Sequence, residues 1–453
     1  MNNNNRPPRP ENQPLTPAEQ AAARRRAERS KERRRRKRRR QRILLLAVFL
    51  LCAALLAAAA FAMGKGLADT NKSPSTSSLP ASLPDPIPTP TPTPQPVSTT
   101  VKVSATGDNL IHDALYKQAN RRAGGSGFDT AMGYDFGALY EHVAPFYETY
   151  DVNWLNQETL VSDELEPSNY PCFSTPGDLG RHMYDLGFRV FSLSNNHIYD
   201  KASAGIAATR RFWDSLPEDC LTTGLISNDD EDSAITLQMV NGITIAYLSY
   251  TDHTNGIPQP SNAEAHVILS SQTDVIQRQV CRAAELADFV LVGMHWGIEN
   301  SHTISDSQRT MAQQLADWGA DVVIGTHPHV VQDMQWITAA DGRQVLVAYS
   351  LGNFVSAQSV GDNLIGMTMT FDLTKTENPD GSMKTIVSHA KAHPTVTHYD
   401  AGYSNITCYF FKDYTEELAN HHGVRSNTPA FSYEYIQSVL ESNISPEFLD
   451  LSA

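Results

Sequence analysis

The chain has 453 residues, enough for two or three average domains, with 36 Lys+Arg, 50 Asp+Glu and a formal net charge of −14. The charge is unevenly spread: residues 1–42 hold 16 basic and four acidic side chains, a net of +12, which leaves −26 on residues 43–453. So acidic a remainder argues against nucleic acid as a partner of the globular part.

The basic run Arg24–Arg42 ends where Ile43–Met63 begins, an uncharged apolar stretch of 21 residues. That length crosses a bilayer, and the positive-inside rule keeps the basic tail (1–42) in the cytoplasm and exports the C-terminal remainder of the chain. The expectation is a single-pass signal anchor (43–63) in the cell membrane, with an extracellular C-terminal domain. A cleaved signal peptide is the alternative, because Ala58–Ala62 fits a small-residue cleavage site. Residues 64–100 are rich in Pro, Ser and Thr, including the alternation Pro88-Thr89-Pro90-Thr91-Pro92-Thr93-Pro94. They read as an extended linker without the apolar content for a core.

From Val101 onward short β-branched runs alternate with helical patterns, the signature of α/β architecture. Helices are expected at Pro176–Leu186 with Thr175 as N-cap, at Ala204–Leu216 opened by Ser203, at Asp274–Ala287 and at Asp306–Trp318 stopped by Gly319. Asn241-Gly242 joins Ile235–Val240 to Ile243–Tyr250 as a hairpin, and Asn378-Pro379-Asp380-Gly381 joins Met367–Leu373 to Met383–Ala390 as another, so the sheets are mixed. One domain spans 101–400, and a C-terminal extension, 401–453, packs on it with a helix around Tyr433–Leu440. Cys172, Cys220, Cys281 and Cys408 are widely spaced and read as isolated thiols, although their number permits two disulfides.

The apolar runs end in residues that bind metals. Val101–Thr106 leads into Gly107-Asp108-Asn109, and Val152–Leu155 into Asn156-Gln157-Glu158. Phe188–Leu193 leads into Ser194-Asn195-Asn196-His197, and Phe289–Met294 into His295-Trp296-Gly297-Ile298-Glu299. Val322–Ile324 leads into Gly325-Thr326-His327-Pro328-His329, and Val345–Ala348 into Tyr349-Ser350-Leu351-Gly352-Asn353-Phe354. Ligands gather at strand ends in α/β sheets, so oxygen and imidazole donors delivered to one edge suggest one centre for a divalent ion such as Mn²⁺, Fe²⁺, Zn²⁺ or Mg²⁺. Any one of these junctions has an ordinary structural explanation, as a turn, a cap or a buried His; their joint occurrence does not. Other histidines, among them His112, His142, His182, His253, His302, His393 and His398, have no comparable setting. No P-loop and no Gly-x-Ser-x-Gly elbow is present.

The ordered set of these motifs, with Tyr134-Asp135-Phe136 and Asp200, resembles the CapA family of capsule-synthesis proteins linked to poly-γ-glutamate, a branch of the calcineurin-like metallophosphatases. The resemblance covers roughly residues 101–370. It implies a four-layer αββα sandwich with two mixed sheets face to face. It also implies that Asp108 and His329 hold one metal, that Asn196, His295 and His327 hold a second, and that Glu158 bridges them. His197 would be the proton donor, supported by Asp200 and Glu299, with Asn156, Trp296 and Asn353 at the substrate. Phosphatases have Asp-x-His at the first motif, but Leu110 stands in the His place here, and Glu158 replaces the usual bridging Asp. One ion or two, and an altered reaction, are both compatible with that departure.

The resemblance implies a membrane-anchored protein that acts in making, exporting or anchoring a poly-γ-glutamate-type polymer through a metal-dependent hydrolase site. Two alternatives stay open: a non-catalytic polymer-binding scaffold that contacts polymer synthase subunits, and a generic surface metallophosphoesterase.

Overall fold

Residues 95–228 and 231–452 are described by a computed structural model, so the basic tail, the apolar stretch 43–63 and most of the linker lie outside the described residues. Among the described residues no helix is long and apolar enough to cross a membrane. The described residues form one compact unit.

Alternating side chains build two mixed sheets. The first contains β1 (Val97–Asn109), β2 (Val152–Asn156), β5 (Val190–Ser192), β6 (Leu221–Thr223), β15 (Asn353–Val355), β16 (Ile365–Glu377), β17 (Met383–Asp400) and β18 (Ser404–Phe410). Its order is β18-β17-β16-β1-β2-β5-β6, and β15 pairs with the end of β1. The second contains β8 (Thr236–Val240), β9 (Ile243–Thr251), β11 (Phe289–His295), β12 (Val322–Thr326), β13 (Val331–Thr338) and β14 (Gln344–Leu351), in the order β13-β14-β12-β11-β9-β8. Two short ladders complete the set, β3 (Val161–Ser162) with β4 (Thr175–Pro176), and β7 (Ile226–Ser227) with β10 (Ala265–His266).

Period-two alternation sorts the second sheet into two apolar faces. Ile243, Ile245, Tyr247, Leu291 and Ile324 join the core shared with the first sheet. Ala246, Leu248, Val290, Val292 and Val323 face the opposite way and pack with Ile276, Val280, Met311 and Leu315 of the helices Thr273–Leu286 and Asp306–Trp318. Trp154 of β2 crosses between the sheets: a Cβ added at Gly293 of β11 would lie 2.9 Å from its Cζ2.

Local signals account for most boundaries. Asn241 and Gly242 take φ 51° and 82°, the left-handed pair that a two-residue hairpin needs. Ser305 and Gln308 form a reciprocal capping box at the start of Asp306–Trp318, and Gly319 at φ 119° ends it. Four expectations need correction. β1 begins at Val97, inside the segment assigned to the linker, because Val97–Thr100 pair with Thr374–Glu377. Thr175 is not an N-cap: it lies in β4, its hydroxyl bonds Thr159 at 2.8 Å, and Pro176 takes the cap position of Gly177–Asp185. The next helix spans Ala202–Trp213 with Lys201 at its cap, and Asp214–Leu216 continue it only as single turns. The segment after Asp400 supplies β18 to the first sheet, so it is part of the fold and not only a layer upon it. Cys172, Cys220, Cys281 and Cys408 are free thiols.

Candidate metal centre

The two sheets deliver their ligands through register. Asp108 is paired with Asn353 on one side and Asn156 on the other, and Gly107 lets β1 pass so close to β15 that a Cβ there would stand 1.9 Å from Gly352 O. Across the interface His295 pairs with Thr326 of β12 and with Thr251 of β9. Gly325 is needed for the same reason as Gly107, since a Cβ would lie 2.0 Å from Tyr349 O. His327 and His329 take φ 97° and 60°, left-handed conformations that cost energy in non-glycine residues and mark a tightly determined turn.

These constraints bring Asp108, Glu158, Asn196, His295, His327 and His329 together, all buried. Ligand atoms of Glu158, His295 and His327 lie within 4.8 Å of one another, and so do those of Asp108, Glu158 and His329. His295 Nε2 is 3.1 Å from both Asn196 Oδ1 and His327 Nδ1, and 3.7 Å from Glu158 Oε1. His329 Nε2 is 3.8 Å from Glu158 Oε1. Asp108 accepts from Asn156 Nδ2 at 2.7 Å and from the backbone N–H of His327 at 3.1 Å. Behind the imidazoles stand the groups that set their orientation: Thr326 Oγ1 lies 3.0 Å from His295 Nδ1, and Asn353 Oδ1 lies 3.0 Å from His329 Nδ1.

Electrostatics matches a cation-binding pocket. Glu158 is fully buried and neither carboxylate oxygen has a hydrogen-bond partner; Asn156 Oδ1 is likewise orphaned. Burial pushes the Glu158 carboxyl well above the ordinary range, a cost that an adjacent cation removes. Burial, with the neighbouring imidazoles, holds His295 well down and His327 at about 2, so both are neutral, the form that ligates metals. Burial opposes charge on His329 too, but Glu158 and Asp108 outweigh it and push His329 up to about 9. The donor set of imidazole, carboxylate and carboxamide suits a borderline divalent ion.

At the mouth of the cluster, His197 Nδ1 lies 2.8 Å from Asp200 Oδ2, and that oxygen also accepts the Phe173 N–H at 2.7 Å. Phe173 stacks edge-on against the His197 ring. A carboxylate on Nδ1 leaves Nε2 as the ring nitrogen available for other work. Glu299 is exposed, with its carboxylate near His327 and His329.

Two expected substrate contacts point elsewhere. Trp296 is 1% exposed, stacks on Tyr349 and donates its Nε1–H to Tyr349 O at 2.9 Å. It is the residue immediately after His295, so a strand's alternation sends it to the opposite face. Asn353 is buried and directs its Nδ2 to Ser356, Gln358 and Asn363, so it orients His329 and presents nothing to a substrate. Asn156 is also buried, on Asp108.

Sequence inspection passed over His253 and Asn255. The His253 ring stands edge-on to His327 with centroids 4.9 Å apart. Asn255 Oδ1 accepts from Asn196 Nδ2 at 3.3 Å, and its Nδ2 lies 3.4 Å from His197 Nδ1. The signal was available: Thr251-Asp252-His253 ends the apolar run Ile243–Tyr250, a further strand end beside β11. His112 lies nearby, edge-on to Phe173, its pKa lowered to about 4 chiefly by burial.

Residues 102–358 match the family model described as bacterial capsule synthesis protein PGA_cap. The chain is 28% identical over 225 residues to the PGA biosynthesis protein CapA of Bacillus subtilis (strain 168), covering 49% of this chain and 57% of that protein. It is 31% identical over 232 residues to the capsule biosynthesis protein CapA of Bacillus anthracis, covering 49% and 54%. The match thus spans little more than half the length of these relatives. Among solved structures it is similar to the NAD nucleotidase NadN of Haemophilus influenzae (TM-score 0.37, 12% identity, 78% of this chain and 57% of that one). It is also similar to the sulfate thiohydrolase SoxB of Thermus thermophilus (TM-score 0.36, 12% identity, 75% and 59%). With more than half its length matched by the family model, the chain belongs to the bacterial capsule synthesis protein family PGA_cap.

Proposed function

We propose that the chain is a membrane-anchored, extracytoplasmic protein that acts on a poly-γ-glutamate-type polymer through a divalent-metal hydrolase centre of the metallophosphatase type. The observation that carries this reading is Glu158, a fully buried carboxylate without a hydrogen-bond partner, flanked by His295 and His329. Asp108, Glu158 and His329 would hold one ion, and Asn196, Glu158, His295 and His327 a second. An ion held by these residues would supply activation of water and positive charge against the negative charge that develops in the reaction. His197, oriented by Asp200, holds a proton at Nε2 for the leaving atom of an amide or phosphoester. Asn255 reaches toward both Asn196 and His197.

The apolar stretch Ile43–Met63 behind sixteen basic residues supports the anchor, with the N-terminus in the cytoplasm. The net charge of −26 on residues 43–453 disfavours a polyanion at long range, and metal ions supply the local positive charge that its carboxylates need. Salt limits that repulsion to a Debye length of about 8 Å at physiological ionic strength.

The test is the 453-residue chain, purified in detergent with Mn²⁺, assayed on poly-γ-glutamate and on simple phosphoesters. Wild type is expected to cleave the polymer, and His197→Ala to lower turnover by about 10²–10⁴-fold, the span of a lost general acid. Normal polymer output in cells carrying His197→Ala with His295→Ala would overturn catalysis in favour of a scaffold role. Turnover of phosphoesters alone would overturn the polymer assignment.

A further inference from the structure

A cleft of about 550 Å³ shares no residue with the metal centre. Its floor is the end of the first sheet, where His398 of β17 and Thr407 of β18 are register partners and so share a face. Helix Asp113–Arg122 forms one wall and is fastened to the outer edge of β18: Gln118 Nε2 donates to Ile406 O, and the Ile406 N–H donates to Gln118 Oε1, both at 2.7 Å. Ala138, Glu141 and His142 form the other wall, and the His142 ring lies flat on Tyr409 with centroids 4.3 Å apart. These bonds and stacks build the cleft in advance of any ligand.

Some of its polar groups are committed and others are not. His398 is buried, with Nδ1 2.8 Å from the Tyr414 hydroxyl and Nε2 3.3 Å from Asp400 Oδ1, and Asp400 Oδ2 accepts from Asn405 Nδ2 at 2.8 Å. The Thr407 hydroxyl is buried in the floor and has no hydrogen-bond partner. Among the described residues the Arg121 guanidinium meets no acceptor, and Arg122 Nε approaches Asp135 only to 3.4 Å. Glu141 stands 3.7 Å from His142 Nε2, too far for a hydrogen bond. A fork of donors at Arg121, an acceptor at Glu141 and an unmet hydroxyl at Thr407 are left over.

We infer that this cleft binds a chain that carries carboxylates beside amide groups, as a second hold on the polymer separate from the metal centre. The inference rests on the reading of that polymer as poly-γ-glutamate-like. An Arg fork takes a carboxylate through two parallel hydrogen bonds. Glu141 accepts an amide N–H, and the Thr407 hydroxyl donates to an amide carbonyl. A γ-linked glutamate residue offers all three groups. A phosphodiester chain offers charge to Arg121 but no N–H to Glu141, whose carboxylate then repels it.

Fluorescence anisotropy of a labelled γ-linked glutamate hexamer, titrated with the 453-residue chain in detergent and EDTA, tests this with the metal centre empty. The basic tail 1–42 attracts the same probe, so differences between variants carry the test. Arg121→Gln is expected to weaken binding about tenfold, the worth of one charge-assisted pair. Thr407→Val, which keeps the shape, is expected to weaken it about threefold while Tm stays at or above wild type, because a hydroxyl without a partner holds nothing in the protein. Arg278→Gln, the same charge removed from an exposed position on Thr273–Leu286, changes nothing. Unchanged binding in either cleft variant, an equal loss in Arg278→Gln, or equally tight, Arg121-dependent binding of a glycerol-phosphate oligomer would each overturn the inference and leave the metal centre standing. The expected pattern without polymer cleavage in Mn²⁺ would sustain the cleft and overturn the hydrolase.

Discussion

Glu158→Gln separates what the carboxylate does for metal binding from what it does to the fold. In wild type both oxygens are buried without partners, and each such atom costs about 1–3 kcal/mol. The substitution keeps the shape and removes the charge. His329 is not stranded by the change, because Asp108 Oδ2 remains 3.3 Å from its Nδ1. In chelator the variant is therefore expected to melt at or above wild type. With Mn²⁺ at a hundredfold excess over Kd, wild type gains about 2.7 kcal/mol by mass action. A folded unit of roughly 350 residues unfolds with an entropy of about 0.7 kcal/mol/K, so the gain emerges as a rise of about 4 °C in Tm. Glu158→Gln should lose most of that rise. Differential scanning calorimetry of both proteins, with Mn²⁺ and with chelator, measures the four values. A wild-type-sized Mn²⁺ shift in the variant refutes Glu158 as a shared ligand. A variant melting well below wild type in chelator refutes the view that the partnerless carboxylate destabilises the metal-free fold.

Two further expectations concern the scaffold. His302 Nε2 lies 3.1 Å from Asp362 Oδ2, and Tyr435 of the C-terminal helix bonds the same carboxylate. Burial opposes charge on His302, but Asp362 and the Val331 carbonyl outweigh it and raise its pKa. A raised folded value means that the pair's stabilisation is complete below the unfolded pKa of about 6.5 and is lost as pH rises through the folded value. Urea unfolding should show stability falling over that upper window in wild type, and Asp362→Asn should flatten it; an unchanged slope would sink the assignment. Trp154→Ala, which empties the space between the sheets, should cost about 3–5 kcal/mol. The loss should register as a lower urea midpoint at constant m, and a loss under about 1 kcal/mol, far below the usual cost of a large core truncation, would mean that Trp154 does not join the sheets.

Much of this protein was legible along the chain, because the signals are local. The Asn241-Gly242 turn, the Ser305–Gln308 capping box and the alternation in β11 each depend on neighbours a few residues apart. The residue types at the strand ends were equally plain, and their chemistry pointed to a cation. Tertiary structure alone decided how those residues meet, because Asp108 and the His327 N–H it accepts stand 219 positions apart and strand order cannot be read from periodicity. It brought β9 beside β11 and so placed His253 at the cluster. It turned Trp296 and Asn353 inward, and it held His327 and His329 in left-handed conformations that no local preference favours. Side-chain direction at a strand end depends on register against a distant partner, and register is set by the shared core and not by the residues that bind.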